Sequence, residues 1–182
     1  MIETELDILR DVSQRLESAG IAFMLTGSVA MNYYAQPRMT RDIDLVVALE
    51  RAQAESFVRL FEEDYYLDRR VVAKAIGQES MFNLIHNETI IKVDCIVLKS
   101  DVYRQEEFSR RQQVSVGNFR TWIVSREDLI LSKLYWARDS KSEMQLRDVR
   151  NLLASDCDEV YLRSRAATLE LDEFLTEVRR DE

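Results

Sequence analysis

The stretch IAFMLTGSVAMNYYAQPRMTRDIDLVV, residues 21–47, decides the fold. Ile21 to Thr26 is an apolar run of strand length, Gly27 and Ser28 turn the chain, and Val29 to Ala35 has helical spacing. A helix that begins at a glycine-serine pair offers N–H groups without intrahelical partners at the positive end of its dipole. Phosphate is a natural ligand there, and glycine lets it approach the backbone. After Pro37, Asp42 to Leu49 alternates as a strand does, with Ile43, Leu45 and Val47 on one face and Asp42, Asp44 and Val46 on the other. Carboxylates two residues apart on a strand stand roughly 6.5 Å apart and can converge on a hard cation with oxygen ligands, Mg²⁺ above all. Without a cation the pair repels itself.

A third carboxylate extends the pattern. Met81 to His86 and Thr89 to Leu98 read as two strands joined at Asn87-Glu88. In the second, Lys92, Asp94 and Ile96 share one face while Ile91, Val93, Cys95 and Val97 share the other. An aspartate in so apolar a strand calls for a partner, because an unpaired buried charge costs several kcal/mol. Lys92 is one candidate. Metal is favoured over it, given Asp42 and Asp44, since residues two apart on a strand are not ideal neighbours.

Leu25-Thr26-Gly27-Ser28-Val29-Ala30, then Arg38 to Val47, then Lys92-Val93-Asp94 resemble the nucleotidyltransferase superfamily of the DNA polymerase beta type. Within it the chain looks similar to small bacterial nucleotidyltransferases related to the AbiEii toxins and to MNT-like and aminoglycoside-modifying enzymes. Val124 to Leu134 and Arg147-Asp148-Val149 are similar to the helical half of those proteins. The resemblance implies that Gly27 and Ser28 hold a nucleoside triphosphate and that Asp42 and Asp44 hold Mg²⁺, or Mn²⁺ in its place. Asp94 matches the third carboxylate, which completes a second metal site or takes the proton of the incoming hydroxyl. The expected reaction transfers a nucleoside monophosphate to a hydroxyl acceptor and releases pyrophosphate. The alternative is a nucleotide-binding or toxin-antitoxin-type regulatory module without turnover on the same fold.

Ser125 and Asp128 form a capping-box-like start for a helix that runs to about Arg138. Leu129, Ile130, Leu134, Tyr135 and Trp136 are expected to supply its apolar surface. Lys133 falls at the edge of that stripe, where the ordinary reading is an ammonium reaching water. The resemblance raises it to a phosphate-contacting residue. Arg38 and Arg41 flank the metal strand and are candidates to neutralise phosphate or seat the base. Arg147 and Asp148 are weaker candidates. Tyr33 and Tyr34 can stack on a base, with packing on the sheet as the default. His86, the only histidine, is read as an exposed hairpin residue, with a general-base role as the alternative.

With 182 residues, 46% of them hydrophobic, the chain is long enough for a substantial core. Its net charge of −8 disfavours a grip on duplex DNA, which calls for a broad basic surface. A small hydroxylated molecule, a protein side chain or an RNA end remain as acceptors, and a protein partner is compatible. Cys95 and Cys157 form neither a disulfide framework nor a zinc pattern, and no apolar run has membrane-spanning length. The expected setting is cytoplasmic.

The expected architecture is α/β (α+β): a mixed β-sheet of nucleotidyltransferase type with flanking helices and a C-terminal helical lobe. Residues 1–124 form the catalytic core, and residues 125–182 form a helical region packed on the same domain. The expected helices are Glu3–Ala19, Ser28–Ala35, Arg51–Glu62, Val102–Arg110, Glu143–Ala154, Asp158–Leu169 and Leu171–Arg180, besides the Lys133 helix and one before the hairpin. Strands are expected at Gln113–Val116 and Phe119–Val124, and a cleft between sheet and lobe is expected to hold the nucleotide.

Overall fold

The computed structural model describes residues 4–37, 39–40, 42–140 and 142–180. Helix α1 (Glu5–Ser18) opens with a capping box, in which Thr4 and Asp7 each accept from the other's backbone N–H at 3.2 Å. Strand β1 (Phe23–Thr26) then passes directly into helix α2 (Gly27–Tyr34), and β2 (Asp42–Val47) follows. A 3-10 turn at Arg51–Gln53, drawn tight where the Glu50 N–H meets the Gln53 side chain, replaces the first turn of the helix expected from Arg51. Helix α3 therefore covers Ala54–Phe61. Next come β3 (Tyr65–Tyr66), α4 (Arg69–Gln78), β4 (Met81–His86), β5 (Lys92–Val97) and α5 (Val102–Ser109). The hairpin β6 (Gln112–Val116) and β7 (Phe119–Ile123) leads into α6 (Arg126–Ser140), α7 (Glu143–Leu153), α8 (Glu159–Thr168) and α9 (Asp172–Arg180).

The described strands form one seven-stranded sheet in the order β3-β4-β5-β2-β1-β7-β6. The pairs β2–β5 and β1–β7 are parallel and the others antiparallel, which makes the sheet mixed, as expected. Side-chain alternation sorts its two faces. Leu25, Leu45, Cys95 and Phe82 lie side by side on one face and are all buried. Helices α1 and α3 cover that face: Ser13 of α1 meets Thr121 of β7 at 3.0 Å, and the Phe57 ring of α3 stands edge-on to Phe82.

The opposite face carries Thr26, Asp44, Asp94 and Asn83 in one cross-strand row. Helices α6 and α7 stand over it. The Ser125 hydroxyl donates to the Asp128 carboxylate at 2.6 Å and accepts from the Asp128 N–H at 3.1 Å, so the reciprocal cap starts α6 as its sequence implies. Asp128 is fully buried and also accepts from Tyr161 of α8 at 2.7 Å and from Arg110 at 3.1 Å. A single cap residue thus ties α6 to α8 and to the segment after α5. Two expectations fail here. Tyr135 and Trp136 point outward, Trp136 being 65% exposed, while His86 is buried against the Tyr65 ring with its Nδ1 3.0 Å from the Thr89 hydroxyl. Trp136 lies about two turns from Leu129 on the same side of α6 but beyond the cover that buries Leu129, Ile130 and Leu134, and the short strand β3 covers His86 at the sheet edge.

Candidate active site

Gly27 has φ +66°, left-handed backbone that a side chain resists. A stronger constraint comes from across the sheet: a Cβ at Gly27 would stand 2.0 Å from Asp44 Oδ2 and 2.7 Å from its Cγ. The Asp44 carboxylate therefore lies in space that only glycine leaves open, at the first turn of α2. The register Thr26 to Asp44 in the antiparallel pair β1–β2 sets this contact.

The parallel pair β2–β5 places Asp42 opposite Lys92 and Asp44 opposite Asp94. Three carboxylates and one ammonium thus share a small patch. Lys92 Nζ is 3.0 Å from Asp94 and 3.7 Å from Asp42, and the Asn83 amide donates to the other Asp94 oxygen. Residues two apart on the strand do pair, contrary to the expectation, because the lysine stem is long enough to fold back over one residue. The hydrogen bond to Asp94 holds the Lys92 ammonium above its ordinary pKa. Burial, then Asp94 and Asp42, push the Asp44 carboxyl up to about 6.

Lys133 comes from α6 and is buried, only 4% exposed, rather than reaching water. Its ammonium lies 2.8 Å from Asp148 Oδ2 and 3.1 Å from the Gln145 side-chain oxygen, both on α7. Lys133 also counters the charge of Asp44. The two line one cavity of about 290 Å³ together with Gly27, Ser28 and Gln145. Of the sequence-derived candidates, then, Gly27, Ser28, Asp44 and Lys133 meet in this cavity, and Asp94 and Asp42 continue its floor across the sheet. Arg38 and Arg41 lie outside the described residues. Tyr34 is used structurally, its hydroxyl donating to the Val124 carbonyl at 2.7 Å, and Arg147 is exposed on α7. Sequence reasoning set Lys92 aside and ranked Asp148 low. The cross-strand register that reveals Lys92 is not a local signal, and neither is the packing of α7 on α6 that sets Asp148 against Lys133.

A larger cavity, about 650 Å³, lies elsewhere, among α1, α2 and the β6–β7 turn. Its described lining has Glu5 as the one charged side chain, so volume does not identify the site.

The fit of a divalent cation rests on the donor set. Carboxylate oxygens suit a hard ion, and a cation beside Asp44 would oppose the upward shift that burial, and then Asp94 and Asp42, give its carboxyl. Among the described residues, no three acidic, histidine or cysteine side chains are drawn tightly enough together to hold a metal as they stand. Lys92 and Asn83 engage Asp94 instead. The residue types fit a cation, and their side chains are arranged around a lysine.

Comparison with solved structures finds this fold among nucleotidyltransferases. An antigenic nucleotidyltransferase-like protein from Paracoccidioides brasiliensis is 17% identical, with 96% of this chain and 91% of that one covered and a TM-score of 0.60. The antibiotic-resistance factor ANT(2'')-Ia is 15% identical over 93% and 97%, with a TM-score of 0.60. The lincosamide antibiotic adenylyltransferase LnuA, solved with lincomycin bound, is 14% identical over 84% and 98%, with a TM-score of 0.55. At these identities the likeness is one of fold. A search of curated protein sequences found no match. The family model described as "Nucleotidyl transferase of unknown function (DUF2204)" matches residues 5–179, and the chain belongs to that family.

Proposed function

We propose that the chain is a Mg²⁺-dependent nucleotidyltransferase that moves a nucleoside monophosphate from a nucleoside triphosphate to a hydroxyl acceptor. The observation that carries this reading is the cross-strand row of Asp44 and Asp94, flanked by Asp42, in which Asp44 packs against Gly27 and lines one cavity with Ser28 and Lys133. The backbone at Gly27 and Ser28 receives the triphosphate, and Lys133 reduces its charge. Asp42, Asp44 and Asp94 are the residues that would hold the cation. When bound, Mg²⁺ supplies charge neutralisation and polarises the phosphoryl oxygens. The acceptor oxygen forms a bond to the α-phosphorus as the bond to the bridging oxygen breaks, and pyrophosphate leaves with that electron pair. Asp94, at the edge of the row, accepts the hydroxyl proton. Arg38 and Arg41 remain candidates for the phosphates or the base. Most of the work is positioning and electrostatics, so few further side chains are needed.

A small hydroxylated acceptor agrees with the net charge of −8, which opposes binding of long nucleic acid. LnuA is a lincosamide antibiotic adenylyltransferase and ANT(2'')-Ia has been solved with adenylyl-2''-tobramycin, which speaks for small-molecule acceptors in those proteins. A protein side chain or RNA end is the other class, and kinship with the AbiEii and MNT-like proteins falls within the same proposal. Lys92, seated between Asp42 and Asp94, favours a second reading, a nucleotide-binding module without turnover.

Thermal stabilisation by ATP or GTP with Mg²⁺ tests the reading. Wild type is expected to gain stability at millimolar nucleotide, and Asp42→Asn and Asp44→Asn to lose the gain. No stabilisation of folded wild type by any nucleotide would remove the basis for it.

A further inference from the structure

Beyond Asp44 the floor of the cavity changes character. One pleat further along the sheet, Val46 of β2 and Ile96 of β5 pair side by side on the carboxylate face, and Met81 pairs with Ile96 on the other side. Trp136 of α6 stands over this apolar floor and lines two adjoining cavities. The first is the 290 Å³ cavity that holds Gly27 and Asp44, and the second, of about 120 Å³, is bounded by Val46, Ile96, Arg104 and Glu107. Thr26, Ile96 and Ser132 line both as well, so the two cavities adjoin.

One wall of the smaller cavity is polar and ordered. Glu107 is buried and accepts from Arg104 at 2.8 Å and from the Ser132 hydroxyl at 2.7 Å, while Arg104 also donates to Ser132 at 2.7 Å. The slot thus has an apolar floor at Val46 and Ile96, the Trp136 indole in its lining, and a carboxylate, a hydroxyl and a guanidinium along one wall. That combination suits a planar ring with hydrogen-bonding groups on one edge. Trp136 is 65% exposed on a helix whose neighbours Leu129, Ile130 and Leu134 are buried, so it contributes little to the core.

We propose that this slot is the nucleobase subsite: the base of the triphosphate stacks on Trp136 against Val46 and Ile96, with its polar edge toward Glu107, Ser132 and Arg104. The inference rests on the nucleotidyltransferase reading of the Gly27 and Asp44 cavity and adds the part of the substrate that the carboxylate row does not touch. The base is the occupant because the two cavities share Thr26, next to the glycine turn, together with Ile96, Ser132 and Trp136, so that one molecule can reach from one to the other. Stacking on an aromatic side chain tolerates any base.

Calorimetric titration in Mg²⁺ with ATP, GTP, CTP, UTP and inorganic tripolyphosphate separates the two claims. Wild type is expected to bind the best nucleoside triphosphate about tenfold more tightly than tripolyphosphate, the advantage that one stacked base supplies. Trp136→Ala, with an unchanged unfolding midpoint, is expected to bind tripolyphosphate as wild type does and to lose the nucleotide advantage, and Trp136→Phe to restore most of it. Equal binding of nucleotides and tripolyphosphate by wild type, or an advantage that survives in Trp136→Ala, overturns the subsite and leaves the phosphate reading standing. An acceptor-binding slot gives that second result. Failure of folded wild type to bind either class overturns both.

Discussion

Two glycines with nearly the same backbone angle have different work. Gly20 (φ +67°) and Gly27 (φ +66°) are both left-handed, but a Cβ at Gly20 meets nothing within 4 Å, whereas at Gly27 it meets the Asp44 carboxylate. Gly20→Ala is therefore expected to cost about 1 kcal/mol of stability from backbone strain alone and to leave cation binding unchanged. Gly27→Ala is expected to cost several times as much or to expel the carboxylate, and to abolish cation binding; denaturant unfolding and Mn²⁺ titration of the two variants measure the difference. Asp44 gives a pH signature. Its folded pKa of about 6 lies above the ordinary 3.8, so its contribution to stability is fully present below pH 4 and is lost as the pH rises through 6. Without metal, Asp44→Asn is expected to be more stable than wild type at pH 7.5, by about 1–2 kcal/mol after allowance for solvent screening, with the gap closing toward pH 4. Melting curves across that range check the sign. Lys92 pairs with Asp94 and Asp42, two of the residues proposed to hold the cation, and Lys92→Met is expected to strengthen Mn²⁺ binding severalfold in a calorimetric titration.

At the scale of elements, the strands and helices were legible because their periodicities were clean. Asp42–Val47 alternates without error, and the face assigned to Asp42, Asp44 and Val46 is the face observed. Pairing between distant strands was not legible. Lys92 and Asp42 are neighbours only because β2 and β5 run parallel in one particular register, and nothing within either strand encodes that choice. Helix α6 was misjudged for a related reason. The apolar residue Trp136 stands about two turns beyond Leu129 on the same side of the helix, yet it and Tyr135 lie past the cover of the neighbouring layers, while Lys133, about one turn earlier, is drawn in against α7. The buried pair of Lys133 with Asp148 joins α6 to α7. Asp148→Ala is expected to cost about 3–5 kcal/mol, much of it for leaving an ammonium buried with less compensation. Chemical denaturation gives the number, and Lys133→Met with Asp148→Leu is expected to recover a large share of the stability but no nucleotide binding.

The whole molecule divides its task between sheet and C-terminal helices, a division we propose falls between residues 124 and 125. The sheet brings the glycine turn and the three aspartates, while α6 and α7 bring Lys133, Gln145 and Asp148. The carboxylate row was legible because such charges on apolar strands have few structural explanations. The lysine that neutralises the row, and the slot beneath Trp136, became visible only when the layers were placed together. Among the described residues, no helix is long and apolar enough to cross a membrane. The central claim is that this assembly performs nucleotidyl transfer, and the most direct measurement is incubation with each α-labelled nucleoside triphosphate and Mg²⁺ or Mn²⁺. Pyrophosphate release and transfer of label to the protein itself, RNA or cell extract are followed together. Transfer by wild type and its loss in Asp44→Asn are predicted. Folded wild type that binds nucleotide yet releases no pyrophosphate with any base, metal or acceptor source would contradict the account and leave a binding module in its place.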